Sequence, residues 1–215
     1  MRGIFFNEFN SSYIPHILQE LYIEKVYDPF FKGKKDMTIL DVGGNIGLFS
    51  FYAHEHAKKI YCLEPSKQHV EVIKHMLDYN SMSDRVEVLQ LALSNKNGSS
   101  KFYHNQNKTM FSLQGAVSDG SETEEVKTIT LDALMIMKGI KKVDFMKLDI
   151  EGSEFDVISS KGFELVSDKI DSMVVEIHQW AGRNPSQITT ALRDYGFDVW
   201  NIPAQATLFG ARRRK

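Results

Sequence analysis

Three groups of residues in this 215-residue chain have types and spacing that can do chemistry. The first is Asp41-Val-Gly-Gly-Asn-Ile-Gly47, an acidic residue followed by glycines at 43, 44 and 47. Glycine permits positive φ and lets a ligand approach the backbone where a side chain would block it. The second is Glu64-Pro65, with the carboxylate 21 positions after Gly43. A carboxylate at that distance can accept both hydroxyl hydrogens of a ribose, in charge-assisted bonds about twice as strong as neutral ones. The third is Lys147-Leu-Asp-Ile-Glu-Gly-Ser-Glu154, followed later by Glu176-Ile-His178. Histidine titrates near neutrality, so His178 has the chemistry of a general base for a hydroxyl proton.

The glycine spacing narrows the ligand. A dinucleotide fingerprint requires G-x-G-x-x-G. Counting from Gly43 gives Gly43, Asn45 and Leu48, so two of its three positions fail. A phosphate loop ending in Lys-Ser/Thr is absent as well. A carboxylate at Asp41 suits a cationic amino group and repels a phosphate. S-adenosylmethionine has that amino group and no phosphate. Gln90, beside the backbone of Leu91, can pair with an adenine edge. Asp149 and Glu151 can surround a sulfonium, ligate a divalent metal or orient a substrate hydroxyl. Two carboxylates with no clear third ligand do not establish a metal, and no metal ligand is assigned.

These residues all fall where predicted strands end. Thr38–Val42 reads as a buried strand running into the glycine loop, and Leu48–Ala57 as the helix after it. Lys59–Leu63 is a second strand, and Ser66 can cap a helix carrying Val70, Ile73 and Leu77 on one face. Val86–Leu91 is a third strand. Val143–Leu148 and Ser172–Ile177 are strands ahead of the third residue group, with helices at Ser153–Ser160 and Pro185–Tyr195. Alternation along the extended chain sends Lys147, Asp149 and Glu151 to one side, and Glu176 and His178 likewise share a side. Phe197–Ile202 and Gln205–Phe209 form a closing antiparallel hairpin with a tight turn at Pro203-Ala204. Repeated strand–helix units imply an α/β fold, a doubly wound, mostly parallel seven-stranded sheet of Rossmann-like type. Its ligands bind beyond the carboxyl ends of the strands.

Residues 1–35 read as a helical lead-in, with Ile14, Ile17, Leu18 and Leu21 at helical spacing over 13–31. Residues 36–215 then form the main domain. A stretch near 94–125, rich in Ser, Asn, Gly and Glu, interrupts the strand–helix order and reads as a specificity insert. Lys101–His104, Met110–Leu113 and Val126–Thr130 are short strands within or beside it, and Leu131–Met137 is a short helix.

The bulk numbers exclude several classes. A hydrophobic content of 42% with 25% charged residues is that of a soluble globular protein. A net charge of −2 gives no electrostatic reason for a nucleic-acid partner. The single cysteine, Cys62, excludes an intrachain disulfide. No apolar run reaches membrane-spanning length, and the expectation is a cytoplasmic protein with no membrane partner. Oligomeric state is left open.

On Asp41–Gly47, Glu64-Pro65, Ala92-Leu-Ser-Asn95, Thr130-Leu-Asp132, Lys147–Glu154 and Glu176-Ile-His178, the chain resembles the FkbM family of S-adenosylmethionine-dependent methyltransferases. The resemblance implies a seven-stranded methyltransferase fold with S-adenosylmethionine as cofactor. It implies that Asp41, Gly43, Asn45 and Gly47 line the methionine side, that Glu64 holds the ribose and that Gln90 and Leu91 sit by the adenine. Gly44, Pro65 and Asp149 are counted with them. It implies O-methylation of a hydroxyl on a sugar or small natural product. The acceptor's proton is then taken by His178 in the first place or by a carboxylate of the third group, Asp149 or Glu151, and these two also hold the acceptor and the sulfonium. The alternatives are a methyltransferase for protein or amine acceptors, a nucleotide-binding oxidoreductase, and a binding module without turnover.

Overall fold

The computed structural model describes residues 14–104, 111–113, 122–178 and 184–215. Its centre is a seven-stranded sheet. In chain order the strands are β1 (Met37–Val42), β2 (Ala57–Leu63), β3 (Val86–Leu89), β4 (Ala92–Leu93), β5 (Gly98–His104), β6 (Phe111–Ser112), β7 (Glu122–Ile129), β8 (Phe145–Leu148), β9 (Ser172–Glu176), β10 (Phe197–Asn201) and β11 (Leu208–Arg213). The main sheet runs β10-β11-β9-β8-β1-β2-β3. β3, β2, β1, β8 and β9 are mutually parallel, and β11 is antiparallel to both β9 and β10. This is the doubly wound sheet with a terminal hairpin that the strand–helix order predicts. The order reverses between β1 and β8, so ligand chemistry is expected at their carboxyl ends.

Both faces of the sheet are covered, which is why its central strands read as nearly continuous apolar runs. The pleat divides them. Met37, Ile39 and Phe145 join one buried cluster, whereas Leu40, Val42, Met146 and Leu148 join the other. The first face is closed by α3 (Leu48–Ala53), α4 (Lys67–Tyr79) and the lead-in. Ser66 does cap α4, its Oγ accepting from the His69 N–H at 3.3 Å. The second face is closed by helices at Leu131–Lys138, Glu154–Ile158 and Pro185–Asp194.

The lead-in belongs to the same core. Ile14–Leu18 (α1) is α-helical and Gln19–Ile23 continues as a π-helical turn; a short helix, α2, follows at Asp28–Phe31. Tyr27 packs 4.8 Å from the Phe49 ring and Phe31 5.0 Å from the Phe145 ring. Each such aromatic contributes about 1.5–3 kcal/mol by burial. Residues 1–13, including the first position of the expected lead-in helix, lie outside the described residues, as do 105–110 and 114–121 of the expected insert.

Several expectations need correction. The helix after the glycine loop ends at Ala53, and a 3₁₀ turn at His54–His56 starts β2 two residues early. The third strand stops at Leu89 because the Leu91 N–H turns back to the Leu89 carbonyl at 2.8 Å. The closing turn is longer than Pro203-Ala204, since β11 begins only at Leu208 and runs to Arg213. The region around the insert builds a second sheet, β4-β7-β5-β6. Its small core of Ala92, Phe102 and Val126 sits apart from the two main clusters.

Candidate functional site

The glycine loop is shaped by what lies directly against it. The N–H groups of Gly43 and Gly44 both donate to the Leu63 carbonyl, at 3.0 and 2.9 Å, which pulls the loop over the end of β2. Gly43 has φ 85°, and a Cβ there would lie 1.7 Å from the Asp149 carbonyl oxygen. Asn45 has φ 49°, a left-handed conformation that Asn tolerates better than most residues. This accounts for asparagine at a position between glycines. Its N–H donates to Glu64 Oε2 at 2.8 Å, and the Ser66 N–H donates to Glu64 Oε1 at 2.9 Å. The Glu64 carboxylate is thereby fixed by two backbone donors and keeps further lone pairs for a ligand diol.

Two openings meet at this loop. A narrow, open cleft is lined by Glu64, Pro65, Leu91, Phe102 and Ser153. A wider cavity of about 620 Å³ is lined by Glu20, Tyr27, Gly44, Glu176, His178 and Gln205, and falls within the usual range for small-molecule sites. Gly43, Asn45, Asp149 and Glu151 line both.

Three expected cofactor residues are placed elsewhere. Asp41 is fully buried, on the β1 face toward α3, and accepts from Ser50 Oγ at 2.5 Å. Burial raises its carboxyl pKa. It pins the helix to the strand behind the loop and lines neither opening. Gly47 also lines neither; its Cβ would meet Met76 at 2.9 Å, so it allows the loop to pack on α4. Gln90 is exposed on the turn that ends β3, while its neighbour Leu91 faces the cleft.

The third residue group converges. Strand geometry ends at Leu148, and Glu151 adopts φ 53° and Gly152 φ 99° in a tight turn. The turn, not continued alternation, brings the side chains together. Lys147 Nζ donates to Asp149 Oδ2 at 2.9 Å and to the Gly43 carbonyl at 3.1 Å. Burial by itself would lower the Lys147 pKa, but Asp149 and Asp41 outweigh it and raise it. His178 arrives from the end of β9. Its Nε2 lies 3.4 Å from Glu151 Oε2, 4.0 Å from Asp149 Oδ1 and 3.9 Å from Glu176 Oε1.

Glu154 is the residue that sequence reasoning missed. It is fully buried, accepts from the Ile150 N–H at 3.0 Å and the Gly152 N–H at 3.0 Å, and lies 3.0 Å from His178 Nδ1. It holds both the turn and the ring. It closes the third residue group of the sequence, but an acidic residue in the first turn of a helix reads by itself as a dipole partner, which assigns it no role at the site. Burial would depress the His178 pKa; the bond to Glu154 and the charge of Glu151 raise it instead. Burial, then the neighbouring Asp149 charge, raises both Glu151 and Glu176.

The sequence also gave no sign of Phe102, Glu20, Tyr27 or Gln205 as site residues. Tyr27 OH donates to Glu20 Oε1 at 2.7 Å, and Gln205 Nε2 donates to Glu20 Oε2 at 3.2 Å. These contacts tie the lead-in and the final hairpin into one wall of the wider cavity.

The donor set fits S-adenosylmethionine better than a dinucleotide. Glu64, Asp149 and Glu151 on the cleft would repel a pyrophosphate. Ser153 lines the cleft and is buried, and its Oγ has no hydrogen-bond partner among the described residues. A buried hydroxyl in that position is available to a ligand.

Comparison with known proteins agrees with this geometry. The model of the methyltransferase FkbM domain matches residues 41–199. Methyltransferase sdnD of Sordaria araneosa is 26% identical, with 92% of this chain and 89% of that protein covered. Hexuronic acid methyltransferase AglP of Haloferax volcanii is 26% identical, covering 76% of this chain and 64% of its own length. The 31-O-demethyl-FK506 methyltransferase FkbM of Streptomyces tacrolimicus is 24% identical, covering 80% and 76%. Among solved structures, a methyltransferase from Geobacter sulfurreducens superposes with a TM-score of 0.52 at 15% identity, covering 94% of this chain and 87% of that one. That likeness speaks for the fold alone.

Proposed function

Because the chain belongs to the FkbM family of methyltransferases, we propose that it transfers the methyl group of S-adenosylmethionine to a hydroxyl of a small, sugar-like molecule. One observation carries the reading. The narrow cleft and the wide cavity share Gly43, Asn45, Asp149 and Glu151, so a donor in one and an acceptor in the other meet at those residues. Two relatives, a hexuronic acid methyltransferase and a 31-O-demethyl-FK506 methyltransferase, support the acceptor class.

S-adenosylmethionine, when bound, supplies an electrophilic methyl carbon on a sulfonium. The residues of the cleft hold and orient it. Glu64 takes the ribose hydroxyls, Leu91 and Phe102 form the apolar walls for the adenine, and Ser153 offers its hydroxyl. Asp149 and Glu151 place negative charge where the two openings join. The acceptor enters among Glu20, Glu176 and Gln205, which offer hydrogen bonds to a polyhydroxylated ligand. Removal of the hydroxyl proton is assigned to the cluster of His178, Glu151 and Glu176. Glu154 orients the imidazole so that Nε2 faces the cavity. Positioning supplies most of the acceleration, and base catalysis about 10²–10⁴-fold.

The acidic lining of the wide cavity also favours a second reading, an acceptor carrying a cationic amine. Incubating the purified chain with S-adenosylmethionine and a panel of neutral sugars, uronic acids and amino sugars, with products read by mass spectrometry, separates the two. Methylation confined to amine nitrogen would replace the hydroxyl reading. In parallel, S-adenosylhomocysteine is expected to raise the melting temperature and NADH to leave it unchanged. The reverse result would return the chain to the oxidoreductases.

A further inference from the structure

We propose that Asp149, Glu151 and His178 form a binding site for one divalent cation at the junction of the two openings. The donor atoms, one from each residue, lie within 4.8 Å of one another, and His178 Nε2 stands 3.4 Å from Glu151 Oε2 and 4.0 Å from Asp149 Oδ1. They come from separate segments, the turn after β8 and the end of β9, and the fold brings them to one point. Two carboxylates and an imidazole form a hard-to-borderline donor set that suits Mn²⁺ and related ions.

The surroundings are those of a prepared ligand set. Asp149 uses Oδ2 for Lys147 and turns Oδ1 toward His178. His178 holds Nδ1 against the buried Glu154 carboxylate, which directs Nε2 into the cluster. A carboxylate behind a metal-bound histidine sets its tautomer and ring orientation. Glu154 is itself held by two backbone N–H groups, so the support is rigid.

Distances and charge agree. Adjacent ligands on an octahedral cation with bonds of about 2.1 Å lie about 3 Å apart. Nε2 and Glu151 Oε2 are at 3.4 Å, and Asp149 Oδ1, at 4.0 Å from Nε2, needs to move inward by about 1 Å. Glu20, Asp149, Glu151 and Glu176 all line the wide cavity, facing the ammonium of Lys147 and the ring of His178. A divalent ion offsets that excess of negative charge. It also gives a polar acceptor an oxygen-binding point and lowers the pKa of a coordinated hydroxyl. With the cation bound, His178 and Glu151 act as ligands in place of the proton-removing role proposed for them without it. This role in the reaction rests on the proposed function; the site itself does not.

The test uses the full chain without cofactor and Mn²⁺ as the probe. Loss of the free-ion paramagnetic resonance signal is expected to report one Mn²⁺ per chain. Pulsed resonance is expected to show a directly bound imidazole nitrogen. Glu151→Gln and Asp149→Asn should weaken binding at least about tenfold, His178→Gln should abolish the nitrogen coupling, and the exposed Asp84→Asn should change neither. No bound Mn²⁺ at millimolar concentration overturns the proposal, as does binding without nitrogen coupling in the unaltered protein, a result that needs no variant to fold. Thermal shift with S-adenosylhomocysteine is read separately. A shift without Mn²⁺ binding sinks the cation site and leaves the methyltransferase reading standing. Mn²⁺ binding without the shift does the opposite.

Discussion

His178 and Gly44 show how single residues are set by their immediate contacts. The imidazole lies among three carboxylates and is oriented by a fourth, so its removal affects chemistry more than cofactor binding. His178→Ala is expected to lower kcat by about 10²–10⁴-fold, with the S-adenosylhomocysteine Kd from calorimetry changed by no more than a few-fold. Equal loss of both would remove His178 from the proton-transfer cluster. Gly44 has ordinary backbone angles, yet a Cβ there would stand 2.3 Å from Cys62 Sγ. Gly44→Ala is therefore expected to cost about 1–3 kcal/mol by overpacking. In a Cys62→Ala background the penalty should shrink, and a denaturation double-mutant cycle measures the coupling. Additive effects would show that the clash is not the cause.

The elements of the main sheet were legible because their signals are local. Apolar strand runs, a capping serine at 66 and a proline–glycine pair around the last helix each mark an element without reference to distant residues. The second sheet was legible only in part: short strands are expected at Lys101–His104, Met110–Leu113 and Val126–Thr130 and overlap β5, β6 and β7, but their pairing into one sheet with β4 is not expected. β7 reads Glu-Thr-Glu-Glu-Val-Lys-Thr-Ile; its buried side chains are Val126, Thr128 and Ile129, so only its second half carries an apolar signal and its start at Glu122 does not. Its partners are β4 and β5, and the pairing with β4 joins residues 36 apart, Ala92 with Thr128 and Leu93 with Ile129. That sheet contributes Phe102 to the narrow cleft proposed to take the cofactor. Phe102→Ala is expected to weaken S-adenosylhomocysteine binding about tenfold, roughly the 1–3 kcal/mol of one buried apolar side chain, while the main sheet's circular dichroism stays unchanged. Unaltered affinity would take the second sheet out of the cofactor site.

Across the whole molecule, the lead-in, the sheet and the final hairpin meet at Tyr27 and Glu20. Burial, reinforced by the Glu20 charge, holds the Tyr27 phenol well above its usual pKa. A folded pKa above the unfolded one contributes stability that is fully present below about pH 10. That stability is lost as pH rises toward the folded value. Tyr27→Phe removes the hydrogen bond to a carboxylate, and should cost about 1.5–3 kcal/mol between pH 7 and 9. It should also flatten the decline above pH 10, so the two stability curves converge in alkali. Urea denaturation across pH 7–11 checks this; parallel curves would mean that the phenol does not titrate with unfolding.

Local information settled the strand–helix order, the glycine loop at 43–47 and the presence of carboxylates and a histidine beyond the strand ends. Strand propensity, glycine's backbone freedom and the right-handed crossover act within short stretches of chain. Which of those side chains share a space was decided only in three dimensions. The pleat of β1 turns Asp41 toward Ser50, and the turn after β3 throws Gln90 outward. The left-handed turn at Glu151, next to the β8–β9 register, gathers Asp149, Glu151 and His178 around one point. Direction and distance between segments depend on pairing partners and packing, and no residue's type or spacing encodes those alone.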